Sequence, residues 1–135
     1  MEIIKDVYVM TPGELENGIP VVNKVDIKIV RVVGNDNKYA IANYELDGKT
    51  YEITYYLDKP FFTTHAYVIN DDTVSKLNRQ INIYTSKDLM LLNYERVLNS
   101  IESLLLNKQI ELDESIKAIK KQKELLYTKG ENIFD

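Results

Sequence analysis

The stretch YAIANYELDGKTYEITYY, residues 39–56, predicts a β-hairpin and the face that it buries. Alternating apolar and polar residues flank Asp47-Gly48, and Asp-Gly is a strong two-residue hairpin turn because both central positions favour positive φ. Pairing outward from the turn puts three cross-strand pairs on one face: Tyr44–Tyr51, Ala42–Ile53 and Ala40–Tyr55. That face is apolar and the other is polar, as in an antiparallel sheet with one wet face.

A second hairpin turns at residues 34–37 and predicts the same apolar face. Its natural register predicts three further pairs: Ile29–Ala42, Ile27–Tyr44 and Val25–Leu46. A one-residue slip would invert this face, so the agreement of two independent turns favours a three-stranded meander over residues 24–33, 38–46 and 49–57. Ala40 and Ala42 place small side chains where a helix is expected to approach the sheet.

Two more strands are predicted outside the meander, at residues 2–10 and 61–69. Between the first of them and the meander lies a loop rich in glycine and proline, Thr11–Pro20, which is either a flap or a long connection. Val74, Leu77, Ile81 and Tyr84 follow three- and four-residue steps, which predicts a short helix near 73–84.

The second half of the chain has a helical pattern. No glycine or proline occurs from Phe61 to Lys129, and Ser86 is a candidate N-cap for a helix that follows it. Every seventh residue of this helix is apolar: Leu91, Leu98, Leu105, Leu112, Ile119 and Leu126.

Two interpretations of residues 87–129 remain open. The heptad is typical of one long helix that pairs with a second chain, but the other seam position of a coiled coil becomes polar after Leu105. A bend near Asn107–Leu112 would instead give a helical hairpin, whose second helix would begin with acidic residues and end with lysines, as the helix dipole favours.

The predicted fold class is therefore α+β, with an antiparallel sheet of about five strands packed against two or three C-terminal helices, for which a helical hairpin is one of the two open arrangements. The chain of 135 residues is predicted to form one domain, with a β-rich part at 1–70, a helical part at 71–130 and a tail at 131–135.

The outward face of the predicted sheet is unexpectedly apolar at one end. The residues of this outer patch are Val30, Val32, Tyr39, Ile41 and Tyr56. An exposed apolar cluster is typical of a partner or ligand surface. The alternative is that residues 2–10 or 61–69 cover it as a second layer of a barrel or sandwich.

Composition and motifs argue against an enzyme. The net charge is −4, there is no cysteine, and no phosphate-binding, dinucleotide-binding or nucleophile-elbow motif is present. His65, the single histidine, is interpreted as structural, and neither a metal nor a cofactor is expected. Arg31 and Arg96 are candidate anion-binding residues, and the acidic balance argues against a nucleic-acid partner.

The leading functional hypothesis is a non-enzymatic binding protein that forms homo-oligomers through its C-terminal helices and binds a protein partner. The predicted oligomer interface consists of Leu91, Tyr94, Leu98, Ile101 and Leu105. The type resembles small phage or mobile-element accessory proteins and inhibitors. The alternatives are a protein that sequesters a nucleotide-like anion and a nucleic-acid-binding protein. A cytoplasmic location without membrane attachment is expected, because no long apolar segment occurs.

Overall fold

The computed structural model describes residues 2–13, 18–69 and 74–133, and within them the side chains outside 74–78 and 127–133. The described part contains six β-strands and one α-helix, in chain order β1 (Ile3–Thr11), β2 (Val21–Val33), β3 (Tyr39–Leu46), β4 (Lys49–Tyr56), β5 (Phe61–Ile69), β6 (Val74–Tyr84) and α1 (Lys87–Ile133). Each strand pairs antiparallel with its neighbour in sequence, and β6 pairs back with β1 to close a barrel.

The predicted fold class is wrong in its strand count and in its layers. A sixth strand, β6, occupies the segment where a short helix was expected, and it closes the sheet through pairs such as Val9–Ile83. Ile81 and Ile83 point into the barrel while Gln80 lies outside. The helix-like spacing of apolar residues is thus overridden by a two-residue alternation that the partner strands select.

The predicted helical hairpin is also wrong, because α1 is one continuous helix of 47 residues. Its predicted N-cap is confirmed: the Ser86 hydroxyl accepts a hydrogen bond from the backbone N–H of Leu89 (3.3 Å). Asn107 lies inside the helix, whose backbone stays helical past Gly130. An asparagine offers a helix end but does not impose one, and residues 107–112 contain no glycine or proline to break the pattern.

The predicted meander is confirmed, and so are the strands predicted at 2–10 and 61–69. The Asp47-Gly48 hairpin has the expected register, with the pairs Tyr44–Tyr51, Ala42–Ile53 and Ala40–Tyr55. Ile29 lies opposite Ala42 on the neighbouring strand, also as expected.

The apolar face of the sheet is buried by closure of the barrel. Ala40 and Ala42 are fully buried in a core whose buried members all come from the strands. The expectation that they receive a helix is therefore wrong. A barrel of six strands is narrower than the eight-stranded barrels whose interior side chains just fill. Small residues on β3 leave room for the larger Ile53 and Tyr55 across from them.

Irregular pairing bends the strands. The registers shift between Ile4 and Val7 on β1 and between Ile29 and Arg31 on β2. At the first bulge Asp6 has φ 58°, a left-handed conformation that aspartate tolerates better than most residues. Its backbone N–H donates to Asp26 Oδ1 (3.2 Å). Bulges increase the local twist, which a narrow barrel needs in order to close.

The chain divides into two compact units, Met1–Val97 and Leu98–Asp135. In the first unit the beginning of α1 covers the outer face of β1 and β6, where Met90 forms a small second core with Met10 and Tyr84. The Tyr94 hydroxyl donates to the backbone carbonyl of Pro20 (3.1 Å). The prediction of a single domain stays a prediction. Within the described residues, no helix combines the length and apolar character needed to cross a membrane.

Candidate functional site

A cavity of about 450 Å³ lies at one mouth of the barrel. It is bounded by the ends of β1 and β2, by the β3–β4 turn, and by β5 and β6. The aromatic rings of Tyr44 and Tyr51 stack in its wall, with centroids 5.2 Å apart and planes tilted by 14°. Its size is within the range of small-molecule sites, roughly 300–1,000 Å³.

Polar residues occupy inward positions at this mouth. Arg79 pairs with the buried Ala66 and precedes the buried Ile81 and Ile83 by two and four residues, so it belongs to the inner face of β6. Asn23 pairs with the buried Val9 and precedes the buried Val25 and Ile27 by two and four residues, so it belongs to the inner face of β2. Both line the cavity. Arg79 is exposed and Asn23 is half-buried. Both side chains therefore stay solvated at the open end of the barrel, where their polar groups can reach a ligand in the cavity.

The electrostatics of the cavity centre on Tyr44. Burial raises the pKa of the Tyr44 phenol strongly, the neighbouring Tyr51 raises it further, and the positive charge of Arg79 partly counteracts the rise. The Tyr44 hydroxyl therefore stays protonated at neutral pH. The Arg79 guanidinium thus lies close enough to the Tyr44 phenol to favour its charged form.

The loop between β1 and β2 borders the cavity with a close backbone approach. A Cβ atom added at Gly13 would lie 2.4 Å from the backbone of Gly18, so only glycine fits at residue 13. Residues 14–17 of the loop predicted at Thr11–Pro20 lie outside the described residues. Pro12 and Ile19, on either side of the close approach, line the cavity.

The outer patch is rearranged by the bulge on β2. Beyond the bulge Arg31 pairs with Ile41, and Val32 pairs with the buried Ala40. Cross-strand partners share a face, so Arg31 joins the outer patch and Val32 moves to the side of Ala40. A regular alternation cannot reveal this exchange, because the bulge shifts the alternation by one residue.

The aromatic part of the outer patch stays together. Tyr39 pairs with Tyr56, and their ring centroids are 6.1 Å apart. Tyr56 also contacts the buried Phe62 at 5.1 Å between centroids, so it is half-buried. Val30 lies at the bulge and is 47% exposed. A protein partner for this surface stays a prediction.

The two arginines predicted to hold an anion lie apart from the barrel mouth. Arg31 is an exposed residue of the outer face and Arg96 an exposed residue of α1, and neither lines the cavity. The cation that does line it, Arg79, was missed. The sequence feature that identifies Arg79 as an inward residue is its two-residue spacing from Ile81 and Ile83. The helical interpretation of residues 73–84 obscured this feature.

The residues predicted for the oligomer interface have different surroundings. Tyr94 is half-buried, and its hydroxyl donates a hydrogen bond to Pro20 within the same unit. Leu98 and Ile101 are half-buried, whereas Leu91 and Leu105 are 47% and 51% exposed.

Exposed apolar residues continue along α1 beyond the predicted interface. At 3.6 residues per turn, seven side chains lie within about 80° of the helix circumference, and we call them the helix stripe: Leu98, Ile101, Leu105, Leu112, Ile116, Ile119 and Leu126. Ile116 was missed because it falls one residue after the heptad position of Ser115. A spacing of 18 residues, which is five turns, relates Leu98 to Ile116 and Ile101 to Ile119 and is the signal that finds it.

No group of three or more histidine, cysteine, aspartate or glutamate side chains suited to a metal ion occurs among the described residues. His65 is an exposed residue of β5 that pairs with Gln80.

No protein-family model matches this chain, and the searches find no similar curated protein and no similar solved structure.

Proposed function

We propose that this protein is a non-enzymatic binding protein that self-associates through the helix stripe. The observation that carries the proposal is the exposure of large apolar side chains along α1, with Leu112 at 63% and Ile119 at 57%. Exposed apolar residues scattered singly are ordinary, but a narrow row over many turns needs a cover. Full burial of each such side chain contributes about 1.5–3 kcal/mol.

A second copy of the chain is the partner that fits the stripe, and its lysines favour an antiparallel arrangement. Lys123 lies within the angular range of the stripe, at the same angular position as Leu105. In a parallel pair in register, each Lys123 would face its own copy at close range, which is unfavourable. In an antiparallel pair centred on Leu112, each Lys123 faces Ile101, with Glu102 of the other copy next to it.

The same antiparallel register brings apolar residues together. Leu105 then lies opposite Ile119, Leu98 opposite Leu126, and Leu112 opposite its own copy. Long aliphatic stems of lysine cover apolar surface while the ammonium group reaches water, so Lys123 is compatible with Ile101 in this position.

Cysteine cross-linking tests the arrangement cleanly, because the natural chain contains no cysteine. Leu105→Cys and Ile119→Cys chains, mixed and oxidised, should form the mixed disulfide dimer. Leu105→Cys alone should not cross-link, since the two copies of residue 105 would be about 21 Å apart along the axis, well beyond the roughly 7 Å limit for a disulfide. Cross-linking of Leu105→Cys alone, without the mixed dimer, would show a parallel pair.

Light scattering tests self-association itself. Leu112→Lys should convert the protein to a monomer, because it puts a charge in the centre of the stripe. Ile110→Lys is the matched control: Ile110 is similarly exposed at 56% but lies on another side of the helix. A wild-type protein that stays monomeric at high micromolar concentration contradicts the proposal.

A further inference from the structure

We propose that the barrel mouth binds a mononucleotide-sized heteroaromatic anion, with Tyr51 stacking on the ring and Arg79 binding the anionic group. This inference goes beyond self-association and does not depend on it, because every residue involved lies in the unit Met1–Val97.

The shape of the site selects a compact, flat ligand. Below the cavity the barrel is filled by side chains, among them Ile27 and Ile53, with exposures of 0% and 2%. A long acyl chain therefore has no space to enter. Tyr51 is half-buried and Tyr44 is buried, both line the cavity, and each ring supports the other by stacking. A planar ring stacks well on an aromatic face held in this way.

The charges of the site select an anion that also carries hydrogen-bond donors. The guanidinium of Arg79 forms no ion pair with any acidic side chain that the structure describes. It offers several N–H groups in a fork that suits a phosphate or a carboxylate. Asp47 and Asn23 also line the cavity. They can accept hydrogen bonds from the ring N–H or amino groups of a nucleobase.

Isothermal titration calorimetry of the full chain with AMP, GMP, CMP and UMP tests the proposal. At least one nucleotide should bind. Arg79→Gln should weaken its binding about 10-fold or more, since it removes a charge-assisted hydrogen bond. The matched control is Arg31→Gln, an exposed arginine of the outer face, which should leave the affinity unchanged. Absence of heat and of any thermal shift with all four nucleotides would overturn the proposal.

A second variant separates stacking from charge. Tyr51→Leu should weaken nucleotide binding by roughly 5-fold or more, because stacking on an aromatic side chain contributes on this scale. Tyr51→Phe keeps the ring and should retain most of the affinity. Tyr39→Leu, on the outer face, is the control for loss of a tyrosine. If Tyr51→Leu binds as wild type does while Tyr39→Leu does not, the site is elsewhere and the proposal fails.

Two simpler probes test the ligand class. Inorganic phosphate and adenosine each satisfy half of the site and should bind more weakly than AMP. If phosphate alone displaces AMP with equal affinity, the ring contributes nothing and the assignment to a heteroaromatic anion is wrong. These measurements are made with Leu112→Lys as well as wild type. Nucleotide binding should be the same in both, so failure of self-association and failure of this site are distinguishable.

Discussion

Three tyrosines of the barrel are buried titratable groups. The phenols of Tyr44, Tyr55 and Tyr84 all have a pKa raised above the usual value of 10.0, and burial is the main cause for each. These three side chains are at most 3% exposed. Because the charged form is disfavoured in the folded state, folding opposes ionisation of these groups.

Alkaline pH should therefore destabilise the protein. Below pH 10 these tyrosines are protonated in both states and contribute no pH dependence. Above pH 10 the tyrosines ionise in the unfolded chain before they ionise in the folded protein. The free energy of unfolding should therefore fall by up to about 1.4 kcal/mol per pH unit for each tyrosine. Urea unfolding at a series of pH values from neutral to alkaline measures this fall. Tyr55→Phe should show a shallower fall than wild type, and an equal slope would contradict the argument.

Single strands show how the narrow barrel limits side-chain size. On β3, Ala40, Ala42 and Tyr44 face inward and are buried, while Ile41 and Asn43 face outward and are half-buried. The inward positions are read correctly from the alternation around Asp47-Gly48. The small size of Ala40 and Ala42 is explained only by the curvature of the closed sheet, which brings the opposite wall of the barrel close to them.

Enlarging an inward residue of β3 should be costly. Ala42→Leu adds volume where no space exists and should destabilise the protein by about 1–3 kcal/mol or more. Ile41→Leu, one residue away on the outer face, is the matched control and should change stability by less than about 0.5 kcal/mol. Both values come from urea unfolding monitored by circular dichroism. Equal effects for the two variants would mean that β3 does not face a closed interior.

At the level of the whole molecule, the core is confined to one unit. All of the buried residues in the described part of the chain lie between Val7 and Met90, within the unit Met1–Val97. In the other unit, the described side chains are exposed except for a few half-buried ones such as Leu98, Ile101 and Leu125. Barrel stability and self-association are therefore expected to be separable properties of the chain.

Truncation after Val97 tests that separation. The shortened chain should keep the far-ultraviolet β-sheet signal and a cooperative thermal transition, because it retains every buried residue of the described core. It should also be monomeric in light scattering, since all seven residues of the helix stripe are removed. A truncated chain that does not unfold cooperatively would show that residues beyond Val97 are needed for the barrel, and an oligomeric one would place the interface on the barrel.

The sequence alone determined the meander, the register of the Asp47-Gly48 hairpin and the buried face, because Asp47-Gly48 and the two-residue alternation are local signals. It also determined the N-cap at Ser86 and most of the helix stripe. Tertiary structure decided the rest. Pairing with β1 and β5 made a strand of residues 74–84, since neighbouring edges supply hydrogen bonds that a local helix pattern does not anticipate. Closure of the sheet then placed Arg79 and Asn23 in one mouth with Tyr44 and Tyr51. Those residues are distant in sequence, and only the barrel brings them together.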